Sequence, residues 1–157
     1  MENIMQKITP NLWFNGNAKE AVDFYISVFK DAKVLNTEYY PKTKEEGLAD
    51  FQKDLAGDIL MIEFELLGQR FVAINADDTF KPNEAVSFTI ACEGQEEIDY
   101  YWEKLTADGG QESVCGWLKD KYGFSWQVNP TNMGELMKKP GAFATMMGQK
   151  KIVISEY

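Results

Sequence analysis

The chemistry open to this chain is bounded first by a missing residue: its 157 residues include no histidine. That excludes His-based nucleophilic triads and zinc signatures built on paired imidazoles. It also removes the side chain whose ordinary pKa best suits proton transfer near neutrality. Acid–base work falls to Asp, Glu, Cys, Tyr, Lys or bound water. The cysteines, Cys92 and Cys115, make no disulfide framework and read as reduced thiols. Cys92 alternates with Phe88 and Ile90, which is a core pattern. Cys115 precedes Gly116 and Trp117; a reactive thiol needs positive charge close in space, and Lys119 and Lys121 are close only in sequence. A structural cysteine is the plainer reading. Arg70, the only arginine, either meets an anionic ligand or forms a surface ion pair of little energetic weight. No GxGxxG run follows a strand, so the usual cradle for a nucleotide-bearing cofactor is missing.

Composition fits a globular chain: 45% hydrophobic, 13% aromatic and 26% charged residues. A net charge of −9 repels phosphate backbones and anionic headgroups, so neither nucleic acid nor membrane is an expected partner. No apolar run approaches the length of a membrane span. The first ten residues, MENIMQKITP, lack the basic and apolar regions of a secretion signal. A cytoplasmic location is expected.

The elements that must position the functional side chains come as a repeat. NLWFNGNAKEAVDFY (11–25) aligns without a gap over SFTIACEGQEEIDYY (87–101). Glu20 meets Glu96, Asp23 meets Asp99, and Tyr25 meets Tyr101. Each segment passes from period-two alternation, through a polar turn, into a period-3.6 helix. Val22, Tyr25, Val28 and Phe29 share one face of the first helix; Ile98, Tyr101, Trp102 and Leu105 share one face of the second. Asn17 and Glu20 read as a capping box, and Gly109 and Gly110 as a helix stop. Strand-like runs follow at 33–40, 59–66 and 69–75, and again at 111–115, 116–119 and 124–129. Each half is therefore a βαβββ module. AINAD matches WQVNP with one residue of slippage, which sets Ala73 over Gln127 and Asn75 over Asn129. The organisation expected is a first module at 1–76, a linker at 77–84, a second module at 85–130 and a tail at 131–157. Residues 41–57 form a charged, partly helical insertion, either a flap or a solvated loop. In the tail, 131–138 reads as a helix capped by Thr131, 141–147 as a further helical turn, and 151–157 as a final strand, paired within the chain or across a dimer.

A duplicated βαβββ module, together with KITPNLWFNGNAKEAVDFY (7–25), FELLGQRFVAINA (64–76), FKPNEAVSFTIAC (80–92) and CGWLKDKYGFSWQVNPT (115–131), resembles the PhnB-like branch of the glyoxalase, bleomycin-resistance and extradiol-dioxygenase superfamily, the vicinal oxygen chelate proteins. This branch often carries the label 3-demethylubiquinone-9 3-methyltransferase. The resemblance implies an α+β fold in which two modules curl mixed sheets around a cavity, and a homodimer. It also implies four metal-ligand positions on the first and last strands of the modules: Asn11, Ala73, Ser87 and Gln127. Divalent first-row metals want imidazole, carboxylate or thiolate donors, and neutral oxygens without a carboxylate hold them weakly. No metal and no other cofactor is expected.

With Asn11 and Ser87 directed into the cavity, strand parity adds Trp13 and Thr89 and turns Leu12, Phe14, Phe88 and Ile90 toward the helices. A two-residue turn at Leu67–Gly68 sets Leu66 against Gln69 and Glu65 against Arg70. Carrying Ala73 inward brings Ile62, Phe64 and Phe71 with it and turns Glu63 and Glu65 away. The expected ligand pocket is thus Asn11, Trp13, Phe64, Phe71, Ser87, Thr89 and Gln127, an apolar site with a few polar anchors. No catalytic base stands out. A small-molecule binder or metal-free enzyme is the leading reading. Its competitors are a methyltransferase on a quinone precursor, a metal-dependent lyase or dioxygenase, and a dimeric scaffold.

Overall fold

The computed structural model describes residues 6–157; residues 1–5, where the first module was expected to begin, lie outside the described residues. The chain forms two compact units, Met1–Lys81 and Pro82–Tyr157.

In the first unit, β1 (Asn11–Phe14), α1 (Ala18–Val28), β2 (Ala32–Tyr39), β3 (Ile59–Leu66) and β4 (Gln69–Asn75) follow one another. They build a four-stranded mixed sheet in the order β1-β4-β3-β2, with β1 parallel to β4 and the other pairs antiparallel. The β3–β4 hairpin turns on Leu67 and Gly68, at φ 50° and 81°. Positive φ at both central residues matches the twist of the flanking strands. The pairs Leu66–Gln69 and Glu65–Arg70 form as read from the sequence.

The second unit repeats this order: β5 (Ser87–Cys92), α2 (Gln95–Thr106), β6 (Gln111–Glu112), β7 (Trp117–Lys119) and β8 (Ser125–Pro130). Its sheet runs β5-β8-β7-β6, with β5 parallel to β8. The helix faces are those set by the apolar spacing. Val22, Tyr25 and Val28 are buried in α1, and Ile98, Tyr101, Trp102 and Leu105 in α2.

The cap of α1 comes from elsewhere in the chain. Asn17 makes no side-chain cap hydrogen bond, so the capping-box reading is corrected. The Ala18 amide donates instead to Asn75 Oδ1 at 3.1 Å, across from the end of β4. Asn75 Nδ2 donates to the Ile59 carbonyl at 2.9 Å, and the Tyr40 hydroxyl donates to the Asn75 carbonyl at 2.6 Å. Asn75 thus ties helix and hairpin through its side chain and the root of the 41–57 insertion through its backbone carbonyl. Replacing Asn75 by Ala removes the cap and a buried bond together and is expected to cost about 2–3 kcal/mol in urea-induced unfolding.

The insertion leaves and returns at one place, because Tyr40 N donates to Asp58 O and Gly57 N to Pro41 O. Its helical content is a 3-10 segment at Asp50–Leu55, and Leu48 is its buried anchor.

The tail differs from its sequence pattern. Two short helices, α3 (Met133–Leu136) and α4 (Ala142–Met147), occur where helix was read, though Asn132 and not Thr131 sits at the first N-cap. Residues 151–157 form no strand; a 3-10 turn at Ile154–Glu156 takes its place. Ile152 is fully buried. The segment bonds to side chains rather than to a strand edge. Gln95 accepts from Ile154 N and donates to Ile152 O, and Gln149 donates to Val153 O and accepts from Val153 N.

Candidate functional site

Register decides which side chains share a face. In parallel β1–β4, Leu12 pairs with Ala73 and Phe14 with Asn75, while Asn11 pairs with Val72 and Trp13 with Ile74. Leu12, Phe14, Phe71, Ala73 and Asn75 are all buried. They form the sealed face beneath α1. Phe64 stacks on Tyr25 of α1 at 6.3 Å and on Phe71 at 5.5 Å between ring centroids. The other face carries Asn11, Trp13, Val72 and Ile74, joined across the hairpin by Met61, Glu63, Glu65 and Arg70.

Phe64 and Phe71 are therefore core residues of the first unit, on the face opposite Asn11 and Trp13. Ile62 and Ala73 go with them. The cause is a one-residue error in aligning the last strands of the modules. The pairings match Asn11–Val72 with Ser87–Ser125, so Gln127 corresponds to Ile74 and not to Ala73. With a side-chain period of two, a slip of one residue inverts every assignment on a strand. The same inversion had turned Glu63 and Glu65 away from the expected cavity; both lie on the open face with Asn11 and Trp13.

In the second unit Phe88, Ile90, Cys92, Leu118, Trp126 and Val128 share the helix-facing side. Ser87, Thr89, Trp117, Lys119, Ser125 and Gln127 share the open side. Here the expected residues come together. Gln127 Nε2 donates to Ser87 Oγ at 2.9 Å, and Thr89 is the register partner of Gln127.

Local geometry holds these groups in place. Trp13 Nε1 donates to the Asp77 carbonyl at 2.8 Å, and its ring meets Phe80 edge-on at 4.9 Å. The indole is thereby fixed at one end of its sheet face. Arg70 pairs with Glu63, the neighbour diagonal to its cross-strand partner Glu65. Lys33 lies 3.9 Å from Glu65. The carboxylates of this face are thus each matched to a cation.

Within the CGWLKDKYGFSW run, Cys115, Gly116 and Asp120 are architectural. Asp120 is 2% exposed. Its Oδ1 accepts from the Tyr122 and Phe124 amides at 2.9 and 3.1 Å, and its Oδ2 accepts from Trp126 Nε1 at 2.8 Å. Cys115 and Gly116 turn the chain at φ 59° and 83° and donate their amides to the Gln149 and Lys150 carbonyls at 2.8 Å. A Cβ on Gly116 would lie 2.8 Å from Asn129 Oδ1 and 3.1 Å from Val128 O. Only glycine allows that approach.

The thiols differ in setting. Burial, then the Glu97 charge, push the Cys92 thiol up to about 12. Cys115 is partly exposed, with its Sγ 3.5 Å from Met147 Sδ. Iodoacetamide at pH 8 is expected to label Cys115 alone in the native protein and both thiols in urea, which mass spectrometry reads directly.

The superfamily's metal does not fit these residues. In the first unit the positions are Asn11 and, after the register correction, Ile74; in the second they are Ser87 and Gln127. Amides, a hydroxyl and an alkyl group supply no anionic donor. Among the described residues no cluster of three or more His, Cys, Asp or Glu side chains exists that could substitute. Nor is any helix of the described residues long and apolar enough to cross a membrane.

Two βαβββ units, each with one sealed and one open sheet face, define a protein of the glyoxalase/bleomycin-resistance fold. A sequence model of the 3-demethylubiquinone-9 3-methyltransferase family matches residues 6–129, and the chain belongs to that PhnB-like family. It is similar to a putative 3-demethylubiquinone-9 3-methyltransferase, a PhnB protein, from Bacillus cereus, at 35% identity and a TM-score of 0.61, covering 80% of this chain and 99% of that one. A protein from Pseudomonas aeruginosa shares the fold at 19% identity and a TM-score of 0.60, over 80% and 98% of the two chains. So does the fosfomycin resistance protein FosX of Listeria monocytogenes, solved with Mn(II) and sulfate, at 14% identity and a TM-score of 0.54, over 87% and 98%. No curated protein matches the sequence.

Proposed function

We propose that this protein binds a small organic molecule on the open faces of its sheets without a tightly held divalent metal. The observation that carries the reading is the unequal treatment of the two faces. One face of each sheet is sealed by a helix and filled with aliphatic and aromatic groups. The other carries indoles and uncharged hydrogen-bonding groups, Asn11 and Trp13 in the first unit and Ser87, Thr89 and Gln127 in the second, beside the paired charges Glu63, Glu65, Arg70 and Lys119. Apolar area with a few fixed polar anchors is the usual make-up of a small-molecule site. The protein acts as a homodimer in the cytoplasm on this reading, with neither nucleic acid nor membrane as partner. Sedimentation velocity showing a monomer at micromolar concentration would remove the dimer from it.

The test is a thermal-shift screen of planar aromatic compounds, quinones and dicarbonyls, followed by titration of the hits. Trp13→Ala is expected to weaken a hit on the first unit's open face, and Gln127→Ala a hit on the second unit's, about tenfold, the loss of roughly 1.4 kcal/mol. Unchanged affinity in both variants would show that the open faces are not the site. Elemental analysis is expected to find well under one transition-metal ion per chain.

The family's description gives a second reading, methyl transfer to a quinone precursor. The strand-to-helix turns of this chain bear single glycines, Gly16 and Gly94, and not the glycine-rich turn that cradles nucleotide-bearing cofactors. Calorimetry with S-adenosylmethionine decides the matter; no heat of binding is expected.

A further inference from the structure

The second unit has a cleft of about 180 Å³ at the outer part of its sheet, lined by Glu84, Gln111, Glu112, Trp117, Lys119 and Ser125 among others; the Glu112 carboxylate accepts from Trp102 Nε1 at 2.7 Å. An engineered cavity of roughly 150 Å³ accepts benzene, so this volume suits a single six-membered ring. Ser125 is 1% exposed, and its Oγ has no hydrogen-bond partner. A buried hydroxyl left unmatched is unfavourable, and a ligand oxygen at this place would match it. Lys119 is the one cation of the lining. Its partner is the Glu84 carboxylate, whose side chain is 60% exposed. That carboxylate is loosely placed compared with the half-buried ammonium it neutralises. An anionic ligand can take its position with little change in charge, because one carboxylate replaces another, while Glu84 swings into water.

We infer that this cleft binds a small planar arene bearing an acidic oxygen, a benzoate or phenolate type of molecule. The ring lies along Trp117, its anionic oxygens meet Lys119 in place of Glu84, and Ser125 Oγ donates to one of them. The inference rests on the small-molecule reading above and narrows it to a chemical class and a set of residues.

The experiment titrates benzoate, benzamide and benzylamine into the full chain. Tryptophan fluorescence gives affinity, and backbone amide NMR shifts give location. Benzoate is expected to bind at least tenfold tighter than benzamide, with the largest shifts at Lys119 and Ser125. Lys119→Gln should abolish the preference, and Ser125→Ala should weaken benzoate five- to tenfold. Glu84→Gln removes the competing carboxylate and should tighten benzoate several-fold. A cation-binding cleft gives the opposite sign: benzylamine binds best, and Glu84→Gln weakens it. That result overturns the inference, as does equal binding of benzoate and benzamide, or shifts confined to other residues. If neutral arenes or quinones still bind in a manner that depends on Trp13 or on Gln127, the broader reading survives and this narrowing of it fails. If no compound of any class binds, both fall together.

Discussion

Phe64→Ala is expected to destabilise the protein by roughly 3–5 kcal/mol in denaturant unfolding, the cost of an unrelaxed cavity plus the lost burial of a ring. Phe64 has no exposed surface and stands between Tyr25 and Phe71 in one aromatic stack. No smaller side chain can keep both contacts. The same substitution at Trp13 should cost well under half as much, since that indole is only partly buried and holds one edge-on contact with Phe80. The pair separates the faces of the first sheet by their energetics. Stability should fall steeply at Phe64 with ligand affinity unchanged in the fraction that folds, and affinity should fall at Trp13 with stability nearly intact. Equal destabilisation at the two positions would contradict the face assignment.

The second large effect is expected at Asp120. Its buried carboxylate serves two amides and an indole N–H at once. Asp120→Ala leaves the buried Trp126 indole N–H and two partly buried amides without their acceptor and should cost about 2–4 kcal/mol. Asp120→Asn should not rescue it. Asparagine keeps one acceptor oxygen for the amides but sets an NH₂ against the Trp126 N–H. Trp126→Phe removes that donor, so combining Asp120→Asn with Trp126→Phe should recover part of the loss. A double-mutant cycle by chemical denaturation measures the coupling. Additive losses would mean that the indole bond contributes nothing.

Much of this architecture was legible because it follows local periodicity. The buried faces of α1 and α2 lie at the spacing of Val22, Tyr25 and Val28, and of Ile98, Tyr101, Trp102 and Leu105. The β3–β4 register follows from a turn that Leu67–Gly68 can close in only two residues. Face assignment in the first unit failed at a different level. Matching AINAD to WQVNP by residue likeness shifted β4 by one position, and the sheet's alternation carried the error to Phe64 and Phe71. The charges held the missing signal: Glu63, Glu65 and Arg70 have one parity across the hairpin, while Phe64, Leu66 and Phe71 have the other. Charged side chains seldom face a sealed core.

Two further features depend on contacts distant in sequence, which no local pattern encodes. The cap of α1 is supplied by Asn75, not by the neighbouring Asn17. KIVISEY alternates as a strand does, yet its amides and carbonyls are met by the side chains of Gln95 and Gln149, so no sheet edge is needed. That Ser87, Thr89 and Gln127 share one sheet face was legible because the gapless repeat fixes β5, and β8 is its parallel neighbour. The Ser125 hydroxyl left no trace in the sequence, since only packing shows that it lacks a partner.

The turn at Cys115 and Gly116 has a use beyond its shape. Its two amides sit outside the regular strands, and carbonyls of the closing segment shield them. Deuterium uptake at those two positions therefore clocks how often the chain's last stretch lets go. Release faster than global unfolding would show as early labelling there while the interior of β8 stays protonated.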